Sequence, residues 1–320
     1  MRPALTAPSL EEIYRARERI ARAIIRSPLL KLNVDSPAEI YLKLENLQPI
    51  GSFKLRGAGN AILEMPAEDL APGVYTPSAG NHAQGLGWWA RQLGVACTVV
   101  VPDTAPQIKL EAIERLGASI VKLPRERWHQ IIVDHGLPGM TGTFVHPVSH
   151  PAILAGQGTI GLEIAEDLPD VDAVYVPYGG GALACGIAAA LRVLAPRAQV
   201  YACEVETATP LSAAWAAGQP LQVPYRPTFV DGVGGAQVLP EMWPLARALL
   251  AGPVVVSIPQ VTGAIRLMVE RNHVISEGAG ATTVAAALRD ATPGRKVVCI
   301  ISGGNIDSGV LATILRGEMP

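Results

Sequence analysis

Seven short runs of apolar, largely β-branched residues punctuate this chain, at 40–45, 96–101, 119–123, 172–177, 199–205, 253–258 and 296–301. Each is nearly continuous in apolar character rather than alternating, the pattern of a strand covered on both faces. Ala-rich stretches with helical spacing lie between them, at 82–93, 106–116, 152–167, 182–194, 262–272 and 279–290. Strands buried on both faces and separated by helices run parallel, so the chain is α/β with at least one open doubly wound sheet. Ser9-Leu10-Glu11-Glu12 is a capping box and predicts a helix over about 10–24.

Composition narrows the reading further. The 320 residues include 32 Gly and 27 Pro, but hydrophobic residues make up 49% and charged residues only 17%, which excludes a disordered chain. Net charge is −2 and neither sign forms a run, so nucleic acid is not an expected partner. Cys97, Cys185, Cys203 and Cys299 form no CxxC pair and read as small buried hydrophobes in a reducing compartment. With no apolar leader and no run of 18 apolar residues, a cytoplasmic protein free of the membrane is expected. Pro/Gly-rich segments at 65–77 and 134–151 bracket a strand-helix-strand-helix-strand unit. The expected domains are therefore 69–149, smaller, inserted in a larger discontinuous one made of 1–68 and 150–320.

Three glycine turns follow strands, where helix N-termini offer unpaired amides to a ligand. Ser78-Ala79-Gly80-Asn81-His82 follows Val74-Tyr75-Thr76 and suits a carboxylate, or is an ordinary capped helix start. Gly179-Gly180-Gly181-Ala182-Leu183 opens the helix at 182 and suits a phosphate. It also fits a dinucleotide fingerprint ending at Ala184, with Glu204 placed as a ribose-binding acid, as in an NAD-dependent oxidoreductase. Ser302-Gly303-Gly304-Asn305 is the third turn and by itself reads as packing.

Lysine separates these readings. Only six lysines stand against 20 arginines, and Lys54 lies at the start of a helix between Phe53 and Leu55. An unfavourable helix dipole and an apolar setting both lower an amine's pKa, the condition for attack on a carbonyl.

Taken together, 51–58 (GSFKLRGA), 78–85 (SAGNHAQG), 155–161 (AGQGTIG), the glycines at 179–181 and 302–305 (SGGN) resemble the threonine/serine dehydratase and serine racemase family. These are fold-type II pyridoxal-phosphate enzymes, similar to the tryptophan synthase β subunit, and the motifs keep the family's order from about residue 10 onward. The resemblance implies two open doubly wound sheets with the cofactor between domains, and a homodimer. It implies that Lys54 holds pyridoxal 5′-phosphate as a Schiff base and then moves the proton at the substrate Cα. Phe53 would lie against the ring, Asn81 would bond its 3′-oxygen, and the backbone of Gly179, Gly180, Gly181, Ala182 and Leu183 would cradle the phosphate. Ser78, Ala79, Gly80, Asn81 and His82 would receive the carboxylate of an amino-acid substrate. Ser302 would face the pyridine nitrogen, where a hydroxyl makes a weaker electron sink than a carboxylate and favours elimination over transamination.

The reaction so implied is loss of the β-hydroxyl from a β-hydroxy L-amino acid, giving a 2-oxo acid and ammonia. Racemases of the family carry a second Ser where this chain has Ala79, so dehydration is expected over serine racemisation. A silent relative without activity is disfavoured because Lys54 is present. Glu204 and Ala208 match two ligands of the family's divalent-cation (Mg) site, but Pro210 stands where its Asp would be, so no metal site is assigned. His146-Pro147-Val148 departs from the usual HPFD or HPN, and 124–140, with Arg125, Arg127, Trp128 and His129, is atypical. That segment is expected to line the side-chain pocket, which leaves phenylserine and 3-hydroxyaspartate open as substrates beside threonine and serine. The chain stops at Pro320, so the C-terminal regulatory domain of biosynthetic threonine dehydratases is not expected.

Overall fold

The structure is a computed structural model and describes residues 5–320. In chain order it comprises α1 (Leu10–Ile20), β1 (Leu29–Lys31), β2 (Glu39–Leu44), α2 (Lys54–Glu64), α3 (Ala67–Leu70), β3 (Val74–Pro77), α4 (Asn81–Leu93), β4 (Cys97–Pro102), α5 (Gln107–Glu114) and β5 (Ser119–Leu123). There follow α6 (Arg125–Asp134), β6 (Thr143–Phe144), α7 (Pro151–Asp167), β7 (Ala173–Pro177), α8 (Ala182–Leu194), β8 (Gln199–Val205) and α9 (Pro210–Ala217). The last elements are α10 (Trp243–Leu249), β9 (Gly252–Val256), α11 (Ile258–Asn272), α12 (Gly278–Arg289), β10 (Lys296–Ile301) and α13 (Ser308–Leu315).

The strands form two sheets. The larger has the order β1-β2-β10-β7-β8-β9 and the smaller β5-β4-β3-β6. Every pairing is parallel except β1 with β2. The seven apolar runs all appear as strands, because their Val, Ile, Leu and Ala side chains fill both faces of the sheets. The last strand, β10, sits at the centre of the larger sheet and pairs with β2 through Lys296 opposite Glu39 to Ile301 opposite Leu44.

Several elements differ from the sequence reading. Helix α1 starts as its capping box dictates, with Glu12 N–H donating to Ser9 Oγ at 3.2 Å and Ser9 N–H to Glu12 Oε2 at 2.6 Å, but ends at Ile20. Gln48 takes over the backbone of Ile25 through two hydrogen bonds, 3.0 Å and 2.7 Å, and so ends the helical path early. The atypical segment contains a helix, α6, closed by His135 in the left-handed region at φ 56°. Strands β1 and β6 are too short to have shown a pattern.

Helix packing explains the glycines of the 155–161 motif. A Cβ on Gly156 would lie 2.7 Å from Arg56 O and from Gly57 Cα, and one on Gly186 would lie 2.5 Å from Leu154 O. The glycines of 155–161 and 186 therefore let α2, α7 and α8 cross at backbone contact.

Helix α2 is anchored by buried charge. Arg56 donates from Nε to Glu45 at 2.8 Å and from Nη1 to Glu163 at 2.7 Å, while Lys43 Nζ reaches Glu163 at 2.7 Å. Lys43 also donates to Ser27 O at 2.6 Å, and Ser27 Oγ to Glu45 at 2.6 Å. Burial alone would raise the Glu163 carboxyl, but Arg56 and Lys43 hold it below its ordinary value. Arg56 is two residues past Lys54, so this network fixes the start of the helix that carries the lysine.

Candidate active site

The strand ends and helix starts of both sheets converge on one cavity of about 570 Å³. All thirteen residues assigned above to catalysis, cofactor or substrate line it: Phe53, Lys54, Ser78, Ala79, Gly80, Asn81, His82, Gly179, Gly180, Gly181, Ala182, Leu183 and Ser302. Glu204 and Ala208 do not.

Lys54 is placed by the loop before α2. Phe53 N–H donates to Ser302 O at 2.9 Å, Ser52 bridges Gly303, and Gly304 N–H donates to Gly51 O at 2.9 Å. The last glycine turn is thus stitched to the lysine loop. Lys54 Nζ donates to Pro147 O at 2.9 Å and lies 5.3 Å from the Phe53 ring centroid. Burial pushes its pKa down to about 8, against a partial upward pull from Glu277. An amine so shifted is about a tenth neutral at pH 7, against well under a thousandth at its ordinary pKa, and that neutral form can act as nucleophile or base.

The glycine turn after β7 is shaped for a phosphate. Gly181 has φ +96°, a conformation that glycine adopts without strain, and a Cβ on Gly180 would lie 2.4 Å from Val148 Cγ2. Among the described residues, the N–H groups of 179–183 have no protein acceptor. They open the N-terminus of α8, whose dipole favours an anion.

Ser302 Oγ is buried and unpartnered, an orphan hydroxyl facing the cavity. His82 is 2% exposed, and neither ring nitrogen has a partner. Burial first, then the nearby Lys54, pushes its pKa well down, so it is neutral. Ser78 Oγ accepts from Gly80 N–H at 3.3 Å, and Ala79 brings no ionisable group. An open amide cradle, an orphan hydroxyl and a neutral-prone amine fit a phosphorylated aldehyde with a ring heteroatom.

One residue of the cavity escaped the sequence reading. Glu277 caps α12, and both its carboxylate oxygens accept from Asn81 Nδ2 at 3.0 Å. Asn81 Oδ1 in turn accepts from Asn305 Nδ2 at 2.8 Å. Burial raises Glu277 to about 7, with Asn81 pulling the other way. The available signal was a lone acid opening the Gly/Ala run 278–281, which sequence treats as an ordinary cap.

The dinucleotide reading fails on Glu204. Its carboxylate is fully buried and accepts from Leu211 N–H at 2.7 Å, Ser212 N–H at 2.8 Å and Ser212 Oγ at 2.6 Å. It caps α9 and reaches no ribose. The same bonds fill the position of a cation ligand, and Pro210 offers no side-chain oxygen, so the residues present do not fit a divalent-cation site.

The atypical segment divides in two. Trp128 and Ile132 line the cavity, as the pocket expectation requires, whereas Arg125, Arg127 and His129 are exposed and do not. His135, His146 and Glu241 place one ligand atom each within 4.8 Å of one another. His146 Nδ1 accepts from Val148 N–H at 2.9 Å and Ser149 N–H at 2.6 Å, and its Nε2 faces Ile132 O at 3.2 Å. Both nitrogens are engaged, so this imidazole shapes the turn carrying Pro147 and Val148 rather than binding a metal.

Known proteins bear out the resemblance. A putative threonine dehydratase of Sinorhizobium fredii is 37% identical over 97% of this chain and 96% of its own. An L-threonine ammonia-lyase of Thermotoga maritima is 37% identical over 96% of this chain and 78% of its own. The crystal structure of serine racemase from Dictyostelium discoideum superposes with a TM-score of 0.84 at 35% identity, covering 94% of this chain and all of that one. The family model described as pyridoxal-phosphate dependent enzyme matches residues 20–303, and the chain belongs to that family.

Proposed function

We propose that this protein is a threonine/serine-type ammonia-lyase that eliminates the β-hydroxyl of a β-hydroxy L-amino acid. The observation that carries the reading is a single cavity holding both the Lys54 amine, lowered to about 8, and the unpaired amides of 179–183. Lys54 would hold pyridoxal phosphate covalently, the amides its phosphate, Phe53 its ring face, Asn81 its 3′-oxygen and Ser302 its ring nitrogen. Once bound, that group supplies an electron sink for the bond broken at Cα.

The chain's own groups do the rest. Ser78 and the amides of 79–82 at the start of α4 orient the substrate carboxylate. Lys54, neutral at a lowered pKa, takes the proton from Cα, and the β-hydroxyl departs with a proton as water. The enamine released takes up water and yields a 2-oxo acid and ammonia. Ala79 has no proton to return to the opposite face of Cα, which favours elimination over the racemisation named for the Dictyostelium relative. The four buried, unpaired cysteines support a cytoplasmic location. The resemblance supports a homodimer, and the two sheets support a division into 69–149 and 1–68 with 150–320.

The test is spectroscopic and chemical. Purified protein should show a visible absorption band that shifts with L-serine or L-threonine and is lost in Lys54→Ala. It should release 2-oxo acid and ammonia much faster than it interconverts serine enantiomers. Equal rates would make it a racemase.

A further inference from the structure

One side of the cavity is apolar in a way that bears on the substrate. Trp128 and Ile132 of α6 line it with Val148, the last two linked through His146. None of these three side chains offers a carboxylate, amide or hydroxyl. The Trp128 Nε1–H is committed to Val100 O at 3.0 Å, which holds the indole in place and leaves it no donor for a ligand. Ile132 is fixed through its carbonyl, which faces His146 Nε2 at 3.2 Å. Val148 packs against Gly180 of the phosphate cradle. Lys109 of α5 and Arg115, its C-cap, also line the cavity, but α5 packs on the Val99 and Val101 face of the smaller sheet, whereas α6 packs on the Val100 face, and Lys109 is paired with Asp231.

Resting on the ammonia-lyase reading, three directions around the substrate Cα are taken: carboxylate to 78–82, nitrogen to the cofactor and hydrogen to Lys54. The fourth substituent has the remaining space, bounded by α6 and Val148. We propose that this wall selects β-hydroxy amino acids whose β-carbon carries a large apolar group, an aryl group above all, over serine and over acidic substrates. A second carboxylate would lose its hydration there without a partner, whereas an aryl ring covers apolar surface that serine leaves wet. The overall conversion is an aryl β-hydroxy amino acid to an aryl 2-oxo acid and ammonia, with the water lost on elimination regained on hydrolysis.

The test compares kcat/KM of the holoenzyme for threo-phenylserine, L-serine and threo-3-hydroxyaspartate. Calorimetric binding of the unreactive analogues L-phenylalanine, L-alanine and L-aspartate accompanies it. Phenylserine should exceed both others by at least about tenfold, the scale on which apolar pockets discriminate. Ile132→Asn and Val148→Asn should each cut the phenylserine-to-serine ratio several-fold. Serine or 3-hydroxyaspartate turning over as well as phenylserine overturns this inference and leaves the ammonia-lyase reading standing. No turnover of any of the three, nor of L-threonine, sinks the ammonia-lyase reading. The pocket is then decided by binding alone, with tighter L-phenylalanine supporting it and equal or weaker L-phenylalanine overturning it.

Discussion

Asn81 and Glu277, 196 residues apart in sequence, meet across the cavity, one amide nitrogen of Asn81 donating to both oxygens of the carboxylate at 3.0 Å. Asn81 begins α4 behind the smaller sheet and Glu277 caps α12 behind the larger. The bond therefore joins the two sheets across the cavity that both residues line.

Glu277 gives the apoprotein a pH signature. Its folded pKa of about 7 lies above the ordinary 4.5, so the folded state holds a proton that the unfolded state has lost across that window. Stability relative to Glu277→Gln is then fully present below pH 4.5 and falls by about 3 kcal/mol as pH rises to about 7. Urea midpoints of both apoproteins between pH 4.5 and 8 measure it, and a constant difference would contradict it.

Lys54 sets a second pH dependence with the opposite chemistry. Below its pKa of about 8 only the neutral fraction reacts with a carbonyl. The rate at which apoprotein gains its visible band on adding pyridoxal phosphate should rise nearly tenfold per pH unit below about 7 and level off above about 8. An inflection near 10.5 would mean the amine is not desolvated.

The buried network under α2 should be costly to interrupt. Arg56→Met leaves Glu45 and Glu163 in the interior without their guanidinium partner, with an expected loss of about 3–5 kcal/mol in unfolding free energy. Chemical denaturation measures this, and a loss under about 1 kcal/mol would show that the ion pairs contribute little.

Glu204 predicts the response to metal removal. Because its oxygens cap α9, exhaustive chelation should leave activity and Tm unchanged, and added Mg²⁺ should restore nothing. Glu204→Gln should destabilise the fold by about 1–3 kcal/mol whether or not Mg²⁺ is present. Activity that collapses on chelation and returns with the ion would refute this.

The parts of the site made by local chain chemistry were legible beforehand. A glycine turn after a strand says by itself that amides are exposed, and Lys54 beside Phe53 says that an amine is desolvated. The parts made by distant residues were not. Glu277 is indistinguishable from a helix cap until Asn81 is brought to it, and Arg56 looks like a surface residue until Glu45 and Glu163 close around it. Glu204 illustrates the converse, because its spacing from the glycine turn matches a nucleotide site while its carboxylate serves α9. The glycines of 155–161 carry part of the resemblance, but their role was not legible, since close helix crossing and close ligand approach demand the same absent Cβ.

The central position of β10 and its stitches to residues 51–53 bear on biosynthesis. A chain still emerging from the ribosome can form the smaller sheet early, because β3 to β6 are contiguous in sequence. It cannot place Lys54 until residues 296–304 have been made and have paired with β2 and the lysine loop. Closure over so long a sequence separation comes late in folding. The reactive amine thus gains its setting only after residue 304 has been made, and a chain that stops short of it has no formed site into which the cofactor could load.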